Sequence, residues 1–290
     1  MKRSRFVKGI IKAWNLLRFE FSLIIPAFFY SLFGYVTLVG FYGLGDVIYE
    51  LAYLDEYIEK SHKKIRVAVT KKRRHMFLFY PQIKKVGRLS PSLEQLIIEL
   101  GYNKYIKRRY LKIILHYNGH NEGDIFSRVR NIYGVSENTK ITFPTPYKME
   151  EINIPNNSVL VIPNSNWYSS KKIEDVISSL ASDLLKNNKN VFINGEVLKL
   201  EGADNVFYDL NTLLCNAHKF EYIISIRTGL LDFLVNTDSR IITFLDNSEK
   251  GLILLKDGLP LKDWHAKASV KEINVDEVSL NEIRKAVGLK

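Results

Sequence analysis

Tyr222-Ile-Ile-Ser-Ile-Arg-Thr-Gly-Leu-Leu-Asp-Phe-Leu234 is the stretch that most constrains what this chain can fold into. It opens with a short apolar run rich in β-branched residues, the composition of a strand buried on both faces. Such strands belong to parallel sheets covered by helices. The run breaks at Arg227-Thr228-Gly229 and resumes as Leu230, Leu231, Phe233 and Leu234, which suits the first turns of a helix. A strand that ends in a cation, a hydroxyl and a glycine before a helix can cradle an anion. The helix start offers free N–H groups and partial positive charge, Gly229 permits close approach, and Arg227 can fork two phosphate oxygens. The same residues also suit an ordinary strand–helix turn whose arginine pairs with a surface carboxylate. On this stretch alone both readings stand.

The pattern recurs along the chain. Ser158-Val-Leu-Val-Ile-Pro163 reads as a strand, Asn164–Ser170 as a polar loop, and Lys171–Asn187 as a helix with Ile173, Val176, Ile177, Leu180 and Leu184 on one face. Asn190–Asn194 and Val206–Tyr208 read as strands, Leu210–His218 as a helix, and Arg240–Leu245 as a further strand. Ser279 with Glu282 makes a capping box for a final helix ending before Gly288. Earlier, Tyr35–Phe41 reads as a strand, followed by the glycine-rich turn Tyr42-Gly43-Leu44-Gly45-Asp46 and a helix with Val47, Leu51, Leu54 and Ile58 on one face. Ile48 stands where a dinucleotide fingerprint needs its third glycine, so this turn reads as a close-approach loop and not as a NAD site. Ile65–Val69 is the next strand and Ser92–Leu100 a short helix. Strands alternating with helices imply an α/β chain with parallel sheets, and two such series imply two facing Rossmann-like domains. Their expected bounds are 35–152 and 158–290, joined by a linker at Asn153–Asn157 and preceded by a separate segment over 1–34.

Charge separates the halves. The net charge is +11, but residues 1–149 carry 26 Lys/Arg against 11 Asp/Glu, whereas residues 150–290 carry 16 against 20. A basic half facing an anionic surface, lipid or nucleic acid, is the natural implication. Residues 1–18 contain Lys2, Arg3, Arg5, Lys8, Lys12 and Arg18, no acid, and apolar residues at helical spacing, the pattern of a helix lying in a membrane interface. Phe21 to Gly45 carries no charge, long enough on paper to span a bilayer, yet Pro26 interrupts it and Val36–Phe41 reads better as a strand. A hydrophobic segment dipping into one leaflet, or a first helix packed on the core, fits better. Two basic clusters follow, Lys71-Lys72-Arg73-Arg74 and Lys104 through Lys112, the second with Lys107, Arg108 and Arg109 among aromatics. With the amphipathic start in the same half, an anionic membrane surface leads as partner and nucleic acid is not expected. The single cysteine, Cys215, excludes a disulfide framework and points to a reducing compartment. His116, His120, Glu122 and Asp124 lie close in sequence, but in a segment of turn composition, so no metal site is expected.

In open parallel sheets ligands sit outside the carboxyl ends of the strands. Gly43–Asp46 and Arg227–Gly229 fall at such ends in different domains, and facing domains would bring them together. Transfer from a phosphate-activated donor needs this pair of parts. A cradle must stabilise a leaving diphosphate, and a carboxylate, here Asp46, must take the proton from an attacking hydroxyl. No Ser/His/Asp arrangement, Walker loop or kinase set competes.

The chain resembles the heptosyltransferase-like GT-B glycosyltransferases, glycosyltransferase family 9 and its capsule and cell-wall relatives, over roughly Val36 to Phe244. Three places carry the likeness: Gly45-Asp46-Val47 at the first strand–helix turn, Phe192-Ile193-Asn194 with Gly195-Glu196, and Ile224-Ser225-Ile226-Arg227-Thr228-Gly229-Leu230-Leu231-Asp232. The resemblance implies two Rossmann-like domains, a nucleotide-sugar donor on the second, a glycan or lipid-linked acceptor on the first, and no cofactor or metal. It implies Asp46 as general base beside the loop glycines Gly43 and Gly45, and Thr228 and Gly229 as contacts of the donor diphosphate. Arg227, Asn164, Ser165 and Asn194 complete the expected donor-binding set. Heptosyltransferases proper carry Asp before that Thr-Gly and His three residues after the glycine, where this chain has Arg227 and Asp232. The expected activity is sugar transfer in cell-surface polysaccharide synthesis, inverting, at the inner face of the cell membrane. A pyruvyl-type transferase of the same shape and a non-catalytic protein binding membrane and glycan machinery are the alternatives.

Overall fold

The computed structural model of the chain describes residues 14, 17–39, 44–99, 109–113, 125–165, 168–256, 260–264 and 266–289, with backbone alone at 44–46, 96, 98–99, 113, 253–256 and 262. In chain order its elements are α1 (Ile25–Leu32), β1 (Tyr35–Val39), α2 (Leu44–Leu51), α3 (Leu54–Ser61), β2 (Lys64–Val69), β3 (Ile83–Arg88), α4 (Pro91–Glu99), β4 (Leu111–Ile113) and α5 (Ile125–Tyr133). There follow β5 (Ser158–Ile162), α6 (Lys171–Lys186), β6 (Asn190–Asn194), β7 (Asp204–Val206), α7 (Leu210–Asn216), β8 (Tyr222–Ile226) and α8 (Gly229–Leu234). The chain closes with β9 (Arg240–Leu245), α9 (Glu249–Lys256), β10 (Ser269–Asn274) and α10 (Leu280–Ala286).

Two units are present: Met1–Gly43 with Tyr49–Thr142, and Leu44–Ile48 with Phe143–Lys290. The first holds a sheet of order β3-β2-β1-β4, all parallel. One of its faces is closed by Phe19, Leu23, Ile24 and Ala27 from the first helix and Leu93 and Ile97 from α4, packed on Val39, Ala68 and Leu111. That first helix contains Pro26, whose ring and missing N–H disturb a regular α-helix. A π turn at Glu20–Ile24, with the Ile25 N–H bonded to the Glu20 carbonyl, puts Pro26 into the opening turn of α1, where it is tolerated. Gly34, at φ 80°, ends the helix in the left-handed conformation that favours glycine. Among the described residues no helix is long and apolar enough to cross a membrane.

The helix expected from Val47 through Ile58 is two helices. Thr142 divides them: its N–H reaches the Ala52 carbonyl at 2.6 Å, and its hydroxyl accepts the Asp55 N–H at 3.0 Å. β3 and β4, which the sequence pattern does not announce, are the edges of this sheet. The basic run Lys71–Arg74 opens a 3₁₀ stretch, Lys71–Phe79, in the crossover from β2 to β3.

The second unit has the order β7-β6-β5-β8-β9-β10, again all parallel. Counted from β5 this is the 3-2-1-4-5-6 order of a dinucleotide-type sheet. Val159, Val161, Ile193, Ile224, Ile226 and Phe244 are buried in it under α6 and α10. The Ser279–Glu282 capping box starts α10 as its sequence requires.

The chain divides at Thr142/Phe143, not at Asn153–Asn157. Two buried asparagines on α7 account for this. Asn211 accepts the Tyr147 N–H (3.1 Å) and donates to the Lys148 carbonyl (2.8 Å); Asn216 accepts the Ile152 N–H (3.1 Å) and donates to the Glu150 carbonyl (2.6 Å). Each amide serves the extended backbone as a neighbouring strand would, so the expected linker is part of the second unit. Asn216→Ala leaves those backbone groups unpaired and should lower the unfolding free energy by about 1–3 kcal/mol, read as a fall in the urea midpoint.

Candidate functional site

Strand order in the second sheet reverses between β5 and β8, and in open α/β sheets the crevice at such a reversal, outside the carboxyl ends, is where ligands bind. The loops that leave those two strands are Pro163–Ser170 and Arg227–Thr228. The structure therefore places Asn164 and Ser165, and Thr228 and Gly229, just beyond the carboxyl ends of adjacent strands of one sheet. Asn164 is exposed, and Thr228 and Gly229 are half-buried. The Asn164 Oδ1 also stands 3.6 Å from where a Cβ on Gly195 would lie, so the loop after β6 joins the group. Thr228 occupies the cap position of α8, and its side chain makes no capping bond. Ser165 accepts the Tyr168 N–H at 3.4 Å, within its own loop.

Arg227 does not face this crevice as an open cation. Its side chain is 2% exposed and its Nη1 lies 2.5 Å from Oδ1 of Asp232, itself 4% exposed. Nη1 also donates to the Thr228 carbonyl at 3.2 Å, and Nε stands 3.9 Å from Oε1 of Glu272 on β10. A buried guanidinium between two carboxylates is tied to the protein, because leaving it uncompensated would be costly. The ordinary turn, with its arginine paired, is the arrangement found, except that the carboxylates are buried and not at the surface. Asn194 is likewise occupied: its Oδ1 accepts the Tyr208 N–H at 2.9 Å and ties β6 to the segment after β7.

A second cluster, missed in the sequence, fixes the loop after β5. The Tyr168 hydroxyl donates to Asp246 Oδ1 (2.7 Å) and accepts the Asp246 N–H (2.8 Å), while the Ser248 N–H reaches the same carboxylate oxygen at 3.1 Å. Burial pushes the Asp246 carboxyl up, but hydrogen bonds from Ser170, Ser248 and Tyr168 outweigh it and hold it at about 2, below its ordinary 3.8. Burial and the neighbouring carboxylate push the Tyr168 hydroxyl well above its ordinary value. Gly251 completes the knot, since a Cβ there would lie 2.1 Å from the Asp246 carbonyl oxygen. The legible signal was a carboxylate directly after an apolar strand.

Gly45 and Asp46 lie in the first turn of α2, in the short stretch Leu44–Ile48 that belongs with the second unit; the Asp46 side chain, and all of Gly43, fall outside the described residues. So do Lys107, Arg108 and the segment His116–Asp124. Arg109 is exposed. Lys71, Lys72 and Arg74 are exposed too, but Arg74 donates to the Val86 carbonyl at 3.1 Å and Arg73 pairs with Glu94 at 2.8 Å. Half of that run is thus spent on its own unit. Among the described residues no group of three His, Cys, Asp or Glu side chains could hold a metal ion.

No sequence-family model matches the chain, and no curated protein matches it. Solved structures do. Similar to it are the glycosyl transferase family 9 protein from Veillonella parvula DSM 2008 (TM-score 0.57, 11% identity, 88% of this chain and 89% of that one) and E. coli heptosyltransferase WaaC with ADP (0.58, 11%, 88% and 99%). The E. coli ADP-heptose lps heptosyltransferase II is similar as well (0.60, 9%, 87% and 97%). The fold is that of the heptosyltransferase-like GT-B glycosyltransferases. At these identities the likeness is one of fold and not of shared side chains.

Two outcomes test the site's construction. Asp232→Ala, which strips the nearest carboxylate from Arg227, should destabilise the protein by roughly 3–5 kcal/mol in denaturant unfolding. Asp246, whose folded pKa lies below its unfolded value, contributes stability that is full above about pH 4 and is lost as pH falls toward about 2. Asp246→Asn should therefore flatten the acid limb of the melting temperature over that window.

Proposed function

We propose that the protein is a glycosyltransferase that moves a sugar from a nucleotide-diphosphate donor to a glycan or lipid-linked acceptor in cell-surface polysaccharide synthesis. The observation that carries the reading is the strand reversal at β5/β8. In a sheet of dinucleotide order, within a GT-B fold, it sets Asn164, Thr228 and Gly229 side by side at the carboxyl edge. In this reading the donor diphosphate meets the N–H groups at Thr228 and Gly229 and the Asn164 amide. Developing charge on a leaving diphosphate is stabilised by such fixed donors without reorganisation. Arg227 acts from inside, its paired guanidinium holding the Thr228 carbonyl and thereby the shape of the loop. Asn194 and the Tyr168–Asp246 pair fix the flanking loops in the same way. Asp46, in the first turn of α2, is the general base that takes the proton of the acceptor hydroxyl as it attacks the anomeric carbon from the face opposite the leaving group. The reaction inverts the sugar, requires no metal, and takes place at an anionic membrane surface on the cytoplasmic side.

The chain departs from heptosyltransferases at Arg227 and Asp232, so the sugar and nucleotide are read from binding and not from kinship. A thermal-shift panel of UDP, GDP, CDP and ADP is expected to show stabilisation by one diphosphate over the others; a flat panel would refute the donor site. Asp46→Asn should reduce transfer by about 10²-fold or more while leaving diphosphate binding nearly intact. An active Asp46→Asn enzyme would remove that residue from the base role.

A further inference from the structure

The first helix has a second apolar face that is largely exposed among the described residues. One face, with Phe19, Leu23, Ile24 and Ala27, closes the core of the first unit. The other carries Phe21 (67% exposed), Phe28, Phe29, Leu32 and Phe33 (72%), with Trp14 ahead of them. Seven of the twelve large hydrophobic side chains exposed among the described residues lie between Trp14 and Phe33. Single exposed apolar residues are ordinary on a soluble surface, but a contiguous aromatic stripe marks an interaction face.

Its surroundings say what covers it. At the carboxyl end of the helix the rings of Tyr30 and Tyr35 meet edge to face at 5.7 Å, and three cations gather on them. Lys85 Nζ lies 5.0 Å from the Tyr30 centroid, Lys64 Nζ 5.6 Å from that of Tyr35, and the Arg66 guanidinium 4.5 Å from that of Tyr30. Lys64 and Lys85 are exposed; Arg66 is buried beneath them with Thr37 Oγ1 at 3.2 Å, and no carboxylate among the described residues pairs with any of the three. Gly87 makes the space for Arg66, since a Cβ there would lie 2.4 Å from its Nη2. Arg18 is exposed nearer the other end, and Arg109 is exposed next to Tyr110, whose ring stands 5.8 Å from that of Phe28. Glu20 is the one acid on the described part of the helix, and residues 1–13 add five cations and no acid.

We propose that this face docks the first unit onto an anionic lipid bilayer, the phenylalanines entering the acyl boundary and Lys64 with Lys85 holding lipid phosphates. An aromatic stripe rimmed by cations that no described carboxylate neutralises complements an interface that is apolar below and negative above. A second copy of the chain fits worse, because apposing two such faces would bring like-charged rims together. The inference gives the membrane partner of the proposed function a definite surface and rests on none of its transfer chemistry.

The test is co-sedimentation of the full chain with vesicles of phosphatidylcholine alone and of phosphatidylcholine with phosphatidylglycerol. Binding is expected to the anionic vesicles and to fall with added salt. Lys64→Glu/Lys85→Glu should weaken it by about tenfold or more, since each basic residue near the surface is worth several-fold and its reversal more. Phe28→Ser/Phe29→Ser/Phe33→Ser should abolish it, with the melting temperature kept because these side chains are exposed. No binding by the parent, or equal binding by both variants, would overturn the proposal. So would a dimer in light scattering that the phenylalanine variant dissociates, which would make the occupant a second copy. A flat nucleoside-diphosphate panel with vesicle binding intact would instead fail the transferase reading and leave this inference standing.

Discussion

Every strand pairing in both sheets is parallel, and this one constraint arranges the rest. Parallel neighbours require a crossover between them, so each sheet is covered by helices and its strands turn apolar on both sides. It also collects all the carboxyl ends along one edge. At or just beyond the ends of β5, β6, β8 and β9 on that edge stand Asn164, Asn194 with Gly195, Arg227 and Asp246, which is where the polar chemistry of the second unit is concentrated. Most of it is inward work: Asn194 holds Tyr208, Arg227 holds Asp232, and Asp246 holds Tyr168. What is left for a ligand is backbone N–H and short polar side chains on loops braced from behind. Preorganised donors of that kind favour a developing anion.

The same constraint explains which parts of the fold could be read in the sequence. β1, β2, β5, β6, β8 and β9 are interior strands and appear as largely apolar runs, with Arg66 the charged exception inside β2. β3, Ile-Lys-Lys-Val-Gly-Arg, and β10, Ser-Val-Lys-Glu-Ile-Asn, are edges, where charge is favoured because it discourages further pairing, and their polar composition hides them. β4 is three residues inside a basic run. The break between α2 and α3 and the attachment of residues 143–157 depend on Thr142, Asn211 and Asn216 meeting backbone far away in sequence. Nothing local signals such bonds.

The turn after β8 was legible in position, and the direction of its arginine was not. The apolar run, the break at Arg227-Thr228-Gly229 and the following helix all occur as the pattern requires. Which way the arginine turns depends on Asp232, one helical turn further, and on Glu272, contributed by a strand the sequence does not announce. With two carboxylates against one guanidinium, turning Arg227 outward would strand buried negative charge, so the inward geometry is the stable one. A cation in a phosphate-loop pattern is thus evidence for a phosphate contact only after its neighbours have been counted.

The first helix raises the opposite problem, a surplus of apolar surface. Its uncharged run is long enough to suggest a membrane span, but the structure uses the length differently. Pro26 is absorbed by the π turn, Gly34 stops the helix, and Tyr35 enters the sheet paired with Lys64. Packing then needs only Phe19, Leu23, Ile24 and Ala27. Folding of the unit gives no reason for the phenylalanines opposite, since polar residues there would leave the core unchanged and make the surface more soluble. An aromatic stripe kept at that cost, beside three cations that no carboxylate among the described residues pairs, fits the apolar, negatively charged surface proposed for it.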